Sequence, residues 1–316
     1  MKIAVLGAGG VGGYVGARLA AHGNEVTFIA RGAHGQAIRE RGLRLRSPRG
    51  DLLVQPARVM DDPLRTGLVD VVLIAVKMYD LEAAAELVRP LLQVDTAVVP
   101  FQNGVEASAI LERKLGRRYV CGGVAYIAAY IEAPGVVRHE GGPVRLLFGE
   151  RAPSESWRLE ALQAACQGAG IDAAVAPDIE AEVWRKFVFL APFSAITCLV
   201  RSTIGAVRED STLWRRFVAM VEEAAAVAKA RIIAFPDDIV EERLTFTRLL
   251  PAGMRSSMLQ DLEAGKPLEL EWLTGAVVRL GAEAGVPTPE SERALEALAP
   301  FRTGRASEPA APAPRS

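Results

Sequence analysis

MKIAVLGAGGVGG, residues Met1–Gly13, opens the chain and decides its fold. Ile3–Leu6 is a short apolar run typical of a fully buried parallel strand, and Gly7-x-Gly9-x-x-Gly12 follows it at once, before helical spacing. Three glycines so spaced make a tight turn, let a pyrophosphate approach the backbone and allow the helix to pack on the strand. The motif therefore predicts a dinucleotide site, and a glycine-rich turn in another α/β protein is the less favoured alternative.

The composition predicts a soluble protein that binds no polyanion. The chain has 316 residues, enough for two domains, and half of them are hydrophobic. Its 37 basic and 38 acidic residues give a net charge of −1, which gives no reason to expect a nucleic acid partner. No apolar run of membrane-spanning length is free of charges, and Met1-Lys2 leads directly into the first strand, without a signal peptide. We expect no membrane partner.

Three cysteines, Cys121, Cys166 and Cys198, lie far apart in the chain. Their odd number and wide spacing fit neither a disulfide framework nor a metal site, so a reducing, cytoplasmic location is expected. We interpret each of them as a small hydrophobic core residue and expect no metal.

Arg31 predicts which nicotinamide cofactor is bound. Glu25–Ile29 has the pattern of the second strand, and it ends in Ala30-Arg31-Gly32. An acidic residue at this strand end binds the ribose 2′-hydroxyl of NAD, whereas an arginine suits the 2′-phosphate of NADP. Glu25 lies at the opposite end of the strand, so the sequence favours NADP (NADPH), the alternative being a solvated arginine.

Polar residues follow two further predicted strands. The apolar run Val69–Val76 ends at Lys77, and Thr96–Pro100 is followed closely by Gln102 and Asn103. Ligands of open parallel sheets bind beyond the carboxyl ends of the strands. We therefore expect Lys77, Gln102 and Asn103 to line the cofactor site.

The remaining pattern predicts an α/β domain followed by a helical one. Asp80 is expected to cap a helix from about Leu81, and Tyr119–Tyr130 and Val136–Phe148 to complete the sheet as antiparallel strands. After Pro177 the spacing becomes helical, with four long predicted segments: Glu180–Leu199, Ser211–Ala230, Ile239–Leu250 and Pro267–Ala284. The predicted domains are a Rossmann-type dinucleotide-binding domain over residues 1–177 and a helical domain over residues 178–302. Residues 303–316, rich in Pro, Ala and Ser, are expected to be a disordered tail.

Lys186 is the unusual titratable residue of the helical part. A nicotinamide supplies only the hydride, so the protein has to handle a proton, and the positions of His22, His34 and His139 do not suit that task. Lys186 lies in the apolar segment Val183–Pro192, where burial would lower its pKa and make it a usable proton donor. From the residues alone, a lysine that extends to the surface is an equally good interpretation.

Several motifs together resemble the ketopantoate reductase family up to about Phe301. They are the glycine loop, Arg31, Lys77, Gln102-Asn103-Gly104, Lys186, the stretch Ser256–Asp261, and Glu269 followed by Gly275. The stretch Ser-Ser-Met-Leu-Gln-Asp is the most specific of them. The resemblance implies a Rossmann domain with an all-helical C-terminal domain, and NADPH-dependent reduction of 2-dehydropantoate to pantoate in the route to pantothenate. The long apolar helices suggest a homodimer.

The resemblance also implies roles for individual residues. Gly7, Gly9 and Gly12 would hold the pyrophosphate, Arg31 the 2′-phosphate, and Lys77 and Asn103 the ribose and nicotinamide side of the cofactor. Lys186 would be the general acid for the ketone oxygen. Asn103, Ser194, Ser257 and Glu269 would bind a small 2-oxo acid, Ser257 at its carboxylate and Glu269 at its hydroxyl or at the lysine.

The chain departs from the family where the family contacts its substrate. Asparagines stand four and eight residues after the lysine in the family, whereas this chain has Leu190 and Ser194, and Thr274 replaces an asparagine before Gly275. Leucine cannot replace the hydrogen bonds of an amide. Three alternatives stay open: ketopantoate reduction with other polar groups, reduction of a different 2-oxo acid or ketone, and a silent NADP-binding sensor. A flavoprotein is a weaker alternative, because flavin sites also favour an acidic residue after the second strand.

Overall fold

A parallel sheet forms the centre of the first unit. The computed structural model describes residues 1–152, 156–231 and 233–304, and they form two compact units, residues 1–102 with 106–183, and residues 103–105 with 184–304. The strands of the sheet are β1 (Lys2–Leu6), β2 (Glu25–Ile29), β5 (Arg58–Met60), β6 (Val69–Ile74) and β7 (Leu92–Pro100). They have the order β5-β2-β1-β6-β7, and every pairing in the sheet is parallel. Four of the five residues of β1 and of β2 are buried, as expected for strands covered on both faces.

The helices of this unit include α1 (Gly10–Ala21), α2 (Gly32–Arg41), α3 (Leu81–Val88), α4 (Ala107–Leu115) and α5 (Trp157–Gly168). As in a doubly wound fold, α1 connects β1 to β2 and α3 connects β6 to β7, whereas α4 and α5 follow β7 in the chain. Asp80 occupies the N-cap position of α3 as predicted, but its side chain makes no capping hydrogen bond there. A 3-10 turn over Met78–Asp80 precedes the helix and satisfies backbone groups instead, with the Asp80 amide donating to the Lys77 carbonyl at 3.0 Å.

The later strands do not complete the central sheet, so that prediction was wrong. The other strands are β3 (Leu43–Arg46), β4 (Leu52–Val54), β8 (Cys121–Tyr126), β9 (Ala129–Ala133), β10 (Val136–His139), β11 (Arg145–Glu150) and β12 (Asp172–Val175). They form two separate sheets, one with the order β4-β3-β10-β9 and one with the order β12-β11-β8. The physical reason is that β10 pairs in parallel with β3, which holds the β9–β10 hairpin beside α1, and that β11 pairs with β8 and β12. Among the described residues, the chain just before β8 pairs with the central sheet only in an isolated bridge between Val98 and Val120.

The second unit is built from helices. They are α6 (Ile179–Val200, from Trp184 on in this unit), α7 (Ile204–Glu209), α8 (Ser211–Ala230), α9 (Ile239–Leu249), α10 (Ser257–Glu263), α11 (Thr274–Ala284) and α12 (Pro289–Leu298). Its core joins buried side chains of these helices, among them Phe187 and Phe217. The helix expected over residues 267–284 is interrupted: a 3-10 turn over Leu270–Trp272 ends at Leu273, whose φ of −108° and ψ of −92° are not helical. α11 starts after this break.

Helix α6 is long and apolar enough to meet the length and composition criteria for a membrane span. Its mean hydropathy is 1.5 over the best window, and 67% of that window is buried within the fold. A largely buried core helix meets the same criteria. Of the tail predicted over residues 303–316, positions 305–316 lie outside the described residues.

Candidate active site

The glycine loop after β1 has the geometry of a pyrophosphate site. Gly7 has a φ of +94°, and a Cβ there would lie 2.8 Å from the backbone of Ala75, so both conformation and space require glycine. A Cβ at Gly12 would lie 2.1 Å from the Gly7 carbonyl oxygen, which explains how α1 packs so close to the turn. These two glycines are required by the fold itself.

Gly9 differs from the other two glycines, because nothing in the fold requires it. It is the N-cap residue of α1 with a φ of −73°, and a Cβ built there would meet no atom within 4 Å. A small residue with open space before it, at the N-terminus of a twelve-residue helix, fits a ligand that approaches the backbone closely. The residues present therefore fit the pyrophosphate of a dinucleotide.

The other predicted cofactor residues of the first unit lie at the same edge of the sheet. Arg31 follows β2, Lys77 follows β6 and Gln102 follows β7, and all these strands run parallel with β1. Arg31 is exposed at the N-cap position of α2, and the described residues offer its guanidinium no ion pair. Its position suits the phosphate of NADP. Lys77 is half-buried at the start of the 3-10 turn before α3.

Gln102 links the end of β7 to the end of β6 by hydrogen bonds. It is buried, and its Nε2 donates hydrogen bonds to the carbonyl oxygens of Ile74 and Val76, each at 3.1 Å. Its Oε1 is also buried and finds no hydrogen-bond partner among the described residues. Buried acceptors are normally satisfied, so this oxygen is available for a donor from a ligand or a water.

His34 lies against the glycine loop, which the sequence did not suggest. Its Nε2 is 2.8 Å from the carbonyl oxygen of Ala8, and the amide of Gly135 donates to its Nδ1 at 3.1 Å. Burial lowers the pKa of this imidazole, and the bond to the Ala8 carbonyl opposes that effect. Only the packing of the β9–β10 turn on α2 brings these groups together, and no local sequence pattern encodes that packing.

In the second unit, Lys186 and Asn103 form a hydrogen-bonded pair. Lys186 Nζ donates to Asn103 Oδ1 at 2.9 Å, although 83 residues separate the two in the chain. Burial lowers the pKa of Lys186 to about 8, and attraction to Glu269 opposes this shift. Glu269 is itself buried, with 5% of its surface exposed, at the start of the 3-10 turn before α11. A lysine with such a pKa can give up a proton near neutral pH.

Leu190 and Ser194 follow Lys186 by one and two turns of α6, on the same side of the helix. Leu190 is partly exposed while it packs against the helical core, so it places an apolar surface one turn from the lysine. Ser194 is buried, and its Oγ has no hydrogen-bond partner among the described residues. The same is true of Oγ1 of Thr274, at the start of α11.

The two serines before Met258 have different environments. Ser256 is buried and caps α10: its Oγ accepts from the Leu259 amide at 3.1 Å and is 2.7 Å from Oγ1 of Thr197. Ser257, the predicted carboxylate ligand, is exposed in the first turn of that helix. The sequence did not distinguish their environments, because it did not show which of the two adjacent serines precedes α10, and the contact of Ser256 with Thr197 arises only in the folded chain.

The fold and these side chains define a class of protein: a nicotinamide-dependent oxidoreductase with a Rossmann-type α/β unit and a helical unit that carries a lysine of lowered pKa. The chain belongs to the ketopantoate reductase family. The family model for ketopantoate reductase PanE/ApbA matches residues 3–153, and the model for its C-terminal part matches residues 178–301. The family and the fold class predicted from the sequence are thereby confirmed.

Individual relatives cover nearly the whole chain. A 2-dehydropantoate 2-reductase of Mesorhizobium japonicum is 33% identical over 320 residues, covering 93% of this chain and 96% of that protein. The structure of a 2-dehydropantoate 2-reductase from Geobacter metallireducens GS-15 has a TM-score of 0.89 at 30% identity, covering 95% of this chain and 99% of that one. A D-mandelate dehydrogenase with NADH and anilino(oxo)acetate shares the fold, with a TM-score of 0.88 at 23% identity and coverage of 96% and 98%. The chain is an NADP-dependent oxidoreductase of the class that acts on a CH–OH group.

Proposed function

We propose that this protein reduces a 2-oxo acid to a 2-hydroxy acid with NADPH, and that 2-dehydropantoate, giving pantoate for pantothenate synthesis, is the first substrate to test. The observation that carries the proposal is the environment of Lys186. Its Nζ is hydrogen-bonded to Asn103, attracted by Glu269, and has a pKa of about 8. The names of the relatives support the reaction type.

The glycine loop and the strand ends hold the cofactor in this proposal. Gly7 and Gly12 shape the turn and its packing against α1, Gly9 leaves open space for the pyrophosphate, and Arg31 pairs with the 2′-phosphate. The unsatisfied Oε1 of Gln102 accepts a hydrogen bond from the bound cofactor. When bound, NADPH supplies the hydride.

Lys186 supplies the proton. The protonated ammonium stabilises the negative charge that develops on the ketone oxygen, and it then gives that oxygen its proton. Asn103 Oδ1 holds Nζ in place, and the carboxylate of Glu269 favours the charged form that the reaction consumes. In the reverse direction, neutral Lys186 accepts the proton of the hydroxyl group.

Exposed Ser257 and buried Ser194 are the proposed hydroxyl contacts of the substrate. Ser257, in the first turn of α10, is accessible to a carboxylate. Ser194 Oγ lacks a partner among the described residues, and a substrate oxygen would satisfy it.

One observation favours a second candidate substrate. Leu190 presents an apolar surface one turn beyond Lys186 on α6. The hydroxymethyl group of 2-dehydropantoate gains no binding free energy from such a surface. An alkyl or aryl substituent gains about 25 cal/mol of binding free energy for each Å² of apolar surface that it buries. A 2-oxo acid with an apolar side chain is therefore the alternative to 2-dehydropantoate.

The test is NADPH oxidation, followed by absorbance, with 2-dehydropantoate and with 2-oxo acids that carry alkyl or aryl side chains. The 2-hydroxy acid product is identified by chromatography against standards. We expect turnover of at least one of these acids, which would support the reaction type. NADPH binding without turnover of any of them would contradict it and favour a silent NADP-binding sensor.

A Leu190→Asn variant distinguishes the two substrates. If Leu190 lines the substrate, the amide should raise kcat/KM for 2-dehydropantoate relative to the apolar acids by about tenfold, the value of one hydrogen bond. Leu190→Met is the matched control, since it keeps an apolar surface of similar size. An unchanged ratio in Leu190→Asn would show that this position does not select the substrate.

A further inference from the structure

We propose that His34 is a positioning residue for the cofactor: as a neutral imidazole it links the glycine loop to the β9–β10 turn and so holds the loop in its pyrophosphate-binding shape. This inference rests on the proposed NADPH site at the glycine loop. His34 is not placed in the reaction itself, since its two ring nitrogens contact backbone groups of the first unit.

The two hydrogen bonds determine the tautomer of His34. A backbone amide can only donate, so the Gly135 N–H requires Nδ1 to carry a lone pair. A carbonyl oxygen can only accept, so Ala8 requires the proton to be on Nε2. Both bonds therefore form only with the neutral Nε2–H imidazole. Burial, which disfavours the charged form, supports this state.

The far side of this link is firmly held. The amide of Gly135 donates to His34, and its carbonyl accepts from the Arg44 amide of β3 at 2.9 Å. Gly135 has a φ of +82°, and a Cβ there would lie 3.1 Å from that of Ala37, which is one turn beyond His34 on α2. The β9–β10 turn is thus a fixed point from which His34 reaches the loop.

The β9–β10 hairpin also supports the loop by direct packing. A Cβ at Gly10 would lie 2.0 Å from the carbonyl oxygen of Ala129, at the start of β9. A Cβ at Gly13 would lie 2.7 Å from Cγ2 of Val137, in β10. The hairpin therefore lies against the first turn of α1, and His34 is the polar link at Ala8, immediately before Gly9. Holding the Ala8 carbonyl fixes the peptide that joins Ala8 to Gly9.

Asparagine and glutamine substitutions at position 34 test the two hydrogen bonds of His34 one at a time. A glutamine amide extends as far as Nε2 of histidine and can donate to Ala8, whereas the shorter asparagine reaches only as far as Nδ1 and can accept from Gly135. We expect His34→Asn and His34→Leu to raise the NADPH dissociation constant about tenfold, and His34→Gln to stay within about threefold of the wild type. His22→Gln, at an exposed histidine after α1, is the matched control and should bind as the wild type does.

The readouts are NADPH dissociation constants from fluorescence titration, kcat at saturating NADPH, and the melting temperature of the unliganded protein. A positioning role predicts the Asn–Gln difference in binding, with kcat at saturation unchanged within about twofold. Equal NADPH affinity in wild type, His34→Asn and His34→Leu would overturn the proposal. So would a lower melting temperature in all three His34 variants without any change in affinity.

A second measurement does not depend on any variant. The ¹⁵N chemical shifts of the His34 ring in the unliganded wild type should be those of a neutral Nε2–H imidazole at neutral pH. An Nδ1–H tautomer or an imidazolium would overturn the proposal. If the wild type binds no NADPH, the proposed function and this inference both fail; if only the variants behave unexpectedly, the inference alone fails.

Discussion

The pH dependence of the reduction follows from the environment of Lys186. Its pKa is lowered from 10.5 to about 8, because burial disfavours the charge more than Glu269 restores it. Reduction consumes the protonated form, so the lysine is competent below its pKa and loses activity above it. About 90% of Lys186 carries the proton at pH 7 and about 10% at pH 9, so the rate should fall about tenfold for each pH unit well above 8.

The assay is the single-turnover rate of NADPH oxidation from about pH 6 to about pH 10, with cofactor and 2-oxo acid saturating, so that product release does not mask the chemistry. The rate of the reverse oxidation should instead rise with pH through about 8, since that reaction needs the neutral lysine. A reduction rate that stays constant up to about pH 10 would show that Lys186 is not the proton donor, because a donor with this pKa could not sustain it.

Glu269→Gln tests the cause of the shift. Removing the carboxylate removes the attraction that raises the pKa of Lys186, so the fall in the reduction rate should begin at lower pH than in the wild type. Glu271→Gln is the matched control, since it removes a carboxylate two residues away that is paired with Arg302 in the structure. If the reduction rate of Glu269→Gln instead falls at higher pH than that of the wild type, Glu269 does not raise the pKa of Lys186.

Two further predictions concern the first unit. Arg31→Ala should raise the NADPH dissociation constant about tenfold or more and leave that of NADH nearly unchanged, because a charged hydrogen bond to the 2′-phosphate is lost; equal losses for the two cofactors, in parallel titrations, would show that Arg31 is not its ligand. Gly9→Ala and Gly10→Ala should differ in stability and in NADPH binding. The added methyl group of Gly9→Ala enters open space, so this variant should bind NADPH more weakly without a lower melting temperature. Gly10→Ala places a Cβ against the Ala129 carbonyl and should cost about 2 kcal/mol of stability, and similar melting temperatures for the two variants would contradict this.

Local patterns predicted much of the first unit. The glycine turn directly follows β1, and the polar residues of the site come shortly after β2, β6 and β7, so each could be found from a local pattern. The parallel sheet brings these strand ends to one edge, where ligands of open parallel sheets bind. The hairpin that packs on α1 could not be found in this way. Its place is set by the pairing of β10 with β3, which joins Val137 to Leu45 across a long stretch of chain, and strand propensity carries no information about the partner.

In the second unit, the sequence predicted the existence of the helices better than their contacts. α8 has the predicted bounds, but the contact between Lys186 and Asn103 depends on how residues 103–105 join the helical unit. The lysine stood out because a charge is costly in an apolar helix, whereas Asn103 stood out only as a polar residue after a strand. Their hydrogen bond is a product of tertiary structure.

Lys186→Ala provides the most direct test of whether this lysine gives the proton in an NADPH-dependent reduction. The measurement is product formation from the best 2-oxo acid at saturating NADPH, together with the NADPH dissociation constant. The control is Arg185→Ala, which removes the neighbouring cation of the same helix. Arg185 forms an ion pair with Glu242, with 3.9 Å between its guanidinium and the carboxylate. We expect a loss of about 100-fold or more in Lys186→Ala alone, with NADPH affinity within about twofold of the wild type. Turnover within about threefold of the wild type in Lys186→Ala would show that this lysine is not the proton donor.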